Sequence, residues 1–253
     1  MKLPRPTSKR SFSALAALVL LFGSGGCFNP FDPRLANLAG ISKPAPLPNS
    51  ETGVIYLFQW CWRNRAYDEY QEIFTDDYRF DFAAGDTAGN LYREVPWRRT
   101  DELTTAQHLF VVGTPSNPPA TNVTLDFTQD LSVDIDPRAG KGNTRFHRYI
   151  TAQVDLHVYI PDGSYEVRGP VYFYVIRGDS AIIPPELIRR GFRADSTRWW
   201  IERWVDGTLG TGAFAVTRPP STHAVPAGVK DVPVPLTFGK LKVLYRQDTA
   251  PAY

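Results

Sequence analysis

Two polar side chains, Asp155 and His157, are of the types needed for general acid–base chemistry, in which a carboxylate orients an imidazole that moves a proton. They stand two positions apart in an alternating stretch, so both lie on one face of one strand with Cβ atoms roughly 6–7 Å apart. An open sheet face has no wall that excludes water. We therefore interpret the pair as part of a solvated cross-strand ladder, with His157 opposite Arg168 and Tyr159 opposite Glu166. The sequence predicts no catalytic residues here.

Metal and cofactor chemistry has no matching pattern either. No spacing of histidines or cysteines is typical of a zinc site, and no glycine-rich phosphate loop or nucleophile elbow is present. We therefore predict no metal and no cofactor. The scattered histidines are His108, His147, His157 and His223.

The thiol of Cys27 is a candidate for covalent chemistry, because it follows a basic segment, the apolar run 12–22 and the small residues 23–26. This arrangement resembles the processing site of bacterial lipoproteins, which implies cleavage after Gly26 and lipid on Cys27. An apolar run of this length is too short to span a bilayer, which takes roughly 20 residues. An ordinary secretory signal with an accidental cysteine is the alternative. Phe28 after the cysteine resembles the pattern of lipoproteins that are sorted to the outer membrane. We therefore expect the protein in the bacterial cell envelope, lipid-anchored to the outer membrane and facing the periplasm.

The charge balance changes when this leader is removed. The chain of 253 residues has 28 Lys and Arg against 26 Asp and Glu, and four of the basic residues lie in residues 1–26. The mature chain is therefore slightly acidic, and this charge balance does not indicate a basic surface for binding nucleic acid. Cys61 is the only thiol that remains, so no intramolecular disulfide is expected, and its apolar surroundings predict a small buried side chain.

The helices and strands that would position these side chains begin after a proline-rich tether, residues 27–50. Ser50 is a candidate cap for a helix that ends at Asn64, and a second short helix is predicted over 67–74. A strand with three aromatic residues on one side follows over 78–82, and Thr100 opens a third helix.

From residue 123 onward the pattern has period two. The segments 146–160 and 165–176 flank the turn residues 161–164, which predicts a long hairpin with Asp162 and Gly163 in the turn and Ile160 opposite Tyr165. One face of this hairpin is apolar and must pack against the helices, while the polar residues face outward. A last strand is expected over 198–205, and from residue 208 the chain is rich in proline and glycine until a segment, 236–245, able to dock on the domain.

The order of helices and then antiparallel strands predicts an α+β fold. The segment Val54–Phe82 and the tryptophan-rich strand Trp199–Asp206 resemble the opening and the last strand of an NTF2-like (SnoaL-like) domain. The resemblance covers about residues 51–207 and leaves 208–253 as a C-terminal extension. It implies a cone of N-terminal helices packed on a curved antiparallel sheet, often dimeric and often with a pocket. The residues expected to line that cavity are Phe58, Cys61, Phe80, Val154, Leu156 and Phe173.

Three function classes stay open, because this fold hosts enzymes and non-enzymes. The first is a non-catalytic, lipid-anchored binding module for a partner protein or a small apolar ligand. The second is an isomerase- or hydratase-type enzyme, for which Tyr56, Asp81 and His108 are the only inward candidates. The third is a structural or assembly component of the envelope.

The outer sheet face is rich in aromatic residues, which anchor interfaces but are also good strand formers. It is therefore either a homodimer or envelope-partner interface, or an ordinary sheet surface. The candidate interface residues are Tyr149, Tyr159, Tyr172, Tyr174, Trp200 and Trp204.

Overall fold

The computed structural model describes residues 44–92, 95–208 and 234–246. The predicted processing site at Gly26 and Cys27 and most of the tether lie outside these ranges. No helix within the described ranges is both long and apolar enough to cross a membrane.

Two N-terminal helices open the domain: α1, Glu51–Asn64, and α2, Tyr67–Tyr70. The Ser50 hydroxyl accepts a hydrogen bond from the Gly53 amide at 2.9 Å, which confirms the predicted cap. Arg65 ends α1 in the left-handed conformation, with φ of 52°. The predicted second helix was too long, because Phe74 already pairs with the last large strand of the sheet and its backbone hydrogen bonds are made there.

The remaining elements follow in chain order. The strands are β1, Phe74–Asp81; β2, Trp97–Arg98; β3, Asn122–Phe127; β4, Ser132–Asp134; β5, His147–Ile160; β6, Gly163–Arg177; β7, Trp199–Asp206; and β8, Val234–Leu236. The helices are α3, Arg99–Gln107; α4, Pro185–Arg189; and α5, Phe238–Arg246, with a π-helical turn, His108–Val112, after α3 and short 3₁₀ turns at Thr87–Tyr92 and Ser180–Ile182.

The sheet has the strand order β2-β1-β7-β6-β5-β3, while β4 pairs with β5 and β8 with β6. Most neighbours are antiparallel, and the pairs β1–β7 and β6–β8 are parallel. Helices pack on the inner face of this curved sheet. The predicted α+β cone is confirmed.

The long hairpin β5–β6 has the predicted faces but a different register. Ile160 lies opposite Gly163, so the turn residues are Pro161 and Asp162 and the register differs by two from the predicted one. The ring of Pro161 fixes φ near −65°, which suits the first central position of a turn. Because a shift of two residues keeps each side chain on its face, Val154 and Leu156 are buried as expected.

A β-bulge at Glu202 changes the alternation along β7. Tyr174 pairs with Arg203 and Val175 pairs with Ile201, which leaves Glu202 without a partner residue. As a result, Ile201 and Trp204 both enter the core, contrary to the strict alternation predicted for this strand.

Helix α5 belongs to the same core as α1 and the sheet. Phe238, Leu241 and Tyr245 are at most 1% exposed and are part of the main hydrophobic cluster. The packed domain therefore extends beyond residue 207, the predicted limit.

Candidate functional site

The residues predicted to line a cavity all lie in the core of the cone. Phe58 on α1 packs against Phe173 and Trp204, with ring centroids 5.2 and 5.0 Å apart. Cys61, Val154 and Leu156 are at most 3% exposed. Burial raises the pKa of the Cys61 thiol, so it stays protonated. Phe80, the remaining member of the set, is buried and also lines a cleft on the outside of the domain.

The interior of the cone also holds a carboxylate, Glu102 on α3, which is 1% exposed. Three neutral donors surround it. The Tyr70 hydroxyl donates at 2.7 Å, the Tyr78 hydroxyl at 3.3 Å and the Trp97 indole N–H at 3.1 Å. A carboxylate with this many donors is satisfied although it is buried.

Lys242 on α5 completes this cluster. Its side chain is 1% exposed, and its ammonium group forms a hydrogen-bonded ion pair with Glu102. The Nζ atom lies 4.1 Å from the ring centroid of Trp204 and 4.6 Å from that of Phe80, within cation–π distance. Burial lowers the pKa of Lys242, and the charge of Glu102 opposes this shift.

The two tyrosines of the cluster remain hydroxyl donors over a wide pH range. Burial raises the pKa of Tyr70 and of Tyr78 well above the usual value, and the charge of Glu102 adds to both shifts. The cluster thus holds one anion, one cation and three neutral donors.

None of the three inward candidates chosen from the sequence is part of this cluster. Tyr56 is 44% exposed. Asp81 forms an ion pair with Arg203 on the outer face, and the Nδ1 atom of His108 lies 2.7 Å from the Tyr245 carbonyl oxygen. The expectation that these three are the only candidates for an ionisable side chain in the interior was wrong, because Glu102 and Lys242 are buried there. In the sequence, Glu102 looks like an ordinary acidic residue in the first turn of a helix. The only sequence signal for the burial of Lys242 is its apolar neighbours.

The start of α5 is held by two buried carboxylates. The Gly239 amide donates to Asp206 at 2.9 Å, and the Thr237 hydroxyl donates to Asp86. A Cβ atom on Gly239 would lie 2.5 Å from the Asp86 carboxylate, so only glycine fits there. Burial raises the pKa of Asp206 to about 6, with a further contribution from the charge of Asp86, against the hydrogen bonds from Thr208 and Gly239.

The aromatic outer face is smaller than predicted. Tyr149 stacks on Tyr172 at 5.9 Å and contacts Tyr174 at 5.0 Å, and all three are half-buried. Tyr159 is 41% exposed. The other two members are not at the surface, since Trp204 lies in the main core and Trp200 is covered by a second apolar cluster, Ile176, Ile182, Ile183 and Leu187.

Two groups on the described part of the sheet's outer face combine a histidine with two carboxylates, and the side-chain atoms of each group lie within 4.8 Å of one another. In the first, the Nε2 atom of His157 is 3.0 Å from Asp155 and 3.7 Å from Glu166, which stands opposite it in the observed register. Arg168 bonds both carboxylates. The donor set would suit a divalent cation, but the guanidinium already supplies the positive charge.

The second group, Asp136, His147 and Glu202, has the same composition. Arg138 bridges the two carboxylates, and Lys141 lies 3.1 Å from Glu202. These cations already neutralise the two carboxylates, so we interpret this group as an ion-pair network.

An open cleft with a volume of about 620 Å³ crosses β1 and β7 on the outer face. Its charged lining residues are Asp77, Arg79, Asp81, Asp86, Arg138, Glu202 and Arg203, and its rings are Phe80, Phe82 and Tyr92. Phe82 and Tyr92 stack with centroids 5.2 Å apart. Four of these charged groups have partners within the domain: Asp81 with Arg203, and Arg138 with Glu202.

Arg79 differs from the other cations of the cleft. It is exposed and makes no ion pair with any residue that the structure describes. It also stands directly opposite Arg98 in the β1–β2 pair, where two like charges repel. Among the described residues of the cleft, Arg79 is therefore the guanidinium available for an anion.

No protein-family model and no curated protein matches the chain. Among solved structures, it is similar to an NTF2-like superfamily protein from Salmonella enterica, with 11% identity over 65% of this chain and 91% of that chain and a TM-score of 0.40. It is also similar to a conserved protein from Planctomyces limnophilus (12% identity, 62% and 92% coverage, TM-score 0.41). An NTF2-like protein of unknown function in nutrient uptake from Rhodospirillum rubrum matches with 9% identity, 62% and 95% coverage and a TM-score of 0.38. These are likenesses of fold alone.

Proposed function

We propose that this protein is a lipid-anchored component of the bacterial cell envelope whose folded domain is a non-catalytic binding module. The observation that carries the proposal is the closed interior of the cone. Its aromatic residues pack on one another, and the carboxylate of Glu102 inside it is bonded to three neutral donors and to Lys242. A substrate would have to displace α5 to reach Glu102.

The ligand site of the proposed module is the outer cleft. Arg79 supplies a guanidinium without an ion-pair partner in the described part of the chain, and the stacked rings of Phe82 and Tyr92 form an apolar wall. A guanidinium binds a carboxylate or phosphate through two parallel hydrogen bonds, and a ring provides apolar contact. The ligand class that fits is a small molecule with an anionic group joined to a ring or another apolar group.

Benzoate and benzylamine test this assignment, because they share a ring and differ in the sign of their charge. We expect benzoate to shift the NMR resonances of the Arg79 guanidinium and of the aromatic ring protons of Phe82 and Tyr92 saturably, and benzylamine to shift none of them. Arg79→Glu should abolish benzoate binding, whereas Arg193→Glu, an equal charge change outside the cleft, should preserve it. Equal benzoate affinity in wild type and Arg79→Glu would rule out the cleft as the site.

The membrane anchor needs a separate experiment, since it concerns residues outside the described ranges. Cys27→Ser should remove the acyl mass from the mature chain and move the protein from the detergent phase to the aqueous phase in a phase-partition assay. Cys61→Ser is the matched control and should change neither. A wild-type mature chain without an acyl group on Cys27 would contradict the anchor.

The second candidate function is an enzyme of the isomerase or hydratase type. The observation that favours it is the buried Glu102 with two tyrosine hydroxyls in reach, because a carboxylate beside hydroxyl donors is able to move a proton within an apolar site. Glu102 and both tyrosines are at most 1% exposed, so this function requires the domain to open.

A further inference from the structure

The side chain of Lys242 enters the interior as a bound ligand would. Its ammonium group is fully enclosed, with the carboxylate of Glu102 as its ion-pair partner. Two ring faces, those of Trp204 and Phe80, lie 4.1 and 4.6 Å from the nitrogen. A carboxylate together with aromatic faces is the combination that recognises an organic cation.

The groups that surround this ammonium come from elements other than α5. The donors that hold Glu102 come from three other elements: Tyr70 from α2, Tyr78 from β1 and Trp97 from β2. Removing the ammonium group leaves these three donors in the chain, since none of them belongs to α5.

The two rings are held in the same way. Phe80 packs against Trp204 with centroids 5.1 Å apart, and Trp204 packs against Phe58 and Phe173. These residues belong to α1 or to the sheet, and Trp204 also packs against Phe238 of α5 with centroids 4.8 Å apart. The aromatic part of the pocket is thus also formed without Lys242.

Stability alone gives little reason for such a pair. Taking two charges out of water costs several kcal/mol per ion, and a buried ion pair is often no better than apolar residues of the same size. An arrangement with one carboxylate, three neutral donors and two ring faces is more than the docking of a helix requires.

We propose that the pocket around Glu102 is a preformed binding site for a primary alkylammonium group, and that Lys242 occupies it as a tethered ligand. This site is separate from the outer cleft, and the inference goes beyond the proposed binding of an anionic ligand there. The two assignments can fail independently, since they use different residues and probes of opposite charge.

Lys242→Ala tests the proposal in the full chain. The substitution removes the three outer methylene groups and the ammonium, and n-propylammonium has the size and charge of the missing part. We expect n-propylammonium to raise the melting temperature of Lys242→Ala saturably. At five times its Kd the folding constant increases about six-fold, which corresponds to a rise of about 2–4 °C.

Three controls define the specificity of this effect. n-Propanol, which lacks the charge, should not stabilise Lys242→Ala. n-Propylammonium should not stabilise Lys240→Ala, which removes a neighbouring, partly exposed lysine of the same helix. It should also leave Lys242→Met unchanged, because the methionine side chain fills the space while lacking the charge.

If Lys242→Ala is unfolded on its own, the recovery of folded protein with n-propylammonium becomes the readout, and a saturable recovery is expected. The absence of any saturable effect, or equal effects of n-propanol and n-propylammonium, would overturn the proposal. A response of Lys240→Ala equal to that of Lys242→Ala would do the same, because it would show a general salt effect.

Discussion

Phe58 is in contact with four other rings of the interior. Its ring centroid lies 5.0–5.9 Å from those of Trp62, Tyr70, Phe173 and Trp204. The contacts with Tyr70, Phe173 and Trp204 link α1 to α2, β6 and β7. At the scale of single residues, the filling of the interior therefore depends strongly on this position.

Phe58→Ala should lower the free energy of unfolding by about 3–5 kcal/mol, because it removes a buried ring and leaves a cavity. Tyr56→Ala on the same helix should cost about 1 kcal/mol or less, since that side chain is 44% exposed. Urea unfolding of both variants measures the difference. Similar losses for the two positions would mean that the interior can collapse around the missing ring.

The burial of Phe58 could be predicted from the helical period of apolar residues, whereas the cluster around Glu102 could not. Tyr70, Glu102 and Lys242 are far apart in sequence, and each has a common surface role when considered alone. Only the tertiary contacts of α5 bring a cation to Glu102. Periodicity predicts which face of a helix or strand is apolar. It does not predict which charged residue from a distant part of the sequence will contact that face.

At the scale of elements, the hairpin β5–β6 offers a direct measurement of register. His157 lies opposite Glu166 in the structure, and Arg168 is its diagonal neighbour. Facing residues of antiparallel strands have Cα atoms about 4.5–5.5 Å apart, and diagonal ones about 7–8 Å. A disulfide can bridge the first separation and not the second.

In a Cys27→Ser background, the double variant His157→Cys/Glu166→Cys should therefore form an intramolecular disulfide on mild oxidation. His157→Cys/Arg168→Cys should not, and it serves as the matched control. Thiol counting in denaturant, with the buried Cys61 as an internal standard, gives the result. Efficient closure of the second pair instead would show that the register predicted from the Asp162-Gly163 turn is the correct one.

The same hairpin shows where prediction from sequence succeeded and where it failed. The residues that face inward could be predicted, because alternation determines the face on which each side chain lies. A register shift of two residues leaves each side chain on the same face. The register itself could not be predicted, because it depends on the conformation that Pro161 imposes on the turn. In β7, the bulge at Glu202 moved Trp204 into the core, and no sequence signal marks a bulge within a run of large residues.

At the scale of the whole molecule, the attachment of α5 depends on pH through Asp206. The raised pKa of this buried carboxyl, about 6, means that the folded state favours its protonated form. Its contribution to stability is therefore fully present below the unfolded pKa near 4 and is lost as the pH rises through 6.

We expect Asp206 to lower the free energy of unfolding by about 2–3 kcal/mol between pH 4 and pH 7.5, and Asp206→Asn to lack this contribution. Asp77→Asn, at an exposed position, is the control and should keep the wild-type pH dependence. Urea titrations of the three proteins across this range give the comparison. A wild-type and an Asp206→Asn profile that run parallel would contradict the assignment.

The place of α5 in the chain also bears on how the molecule is made. Phe238 packs on Trp62 and Trp204, with centroids 5.8 and 4.8 Å away, so one wall of the core comes from residues synthesised after all the other strands and helices described above. Until residue 246 has left the ribosome, these two indoles and Glu102 have no cover from that side. A nascent chain can form its hairpin early, but it cannot exclude water from its centre. The core can thus close only after α5 has been synthesised.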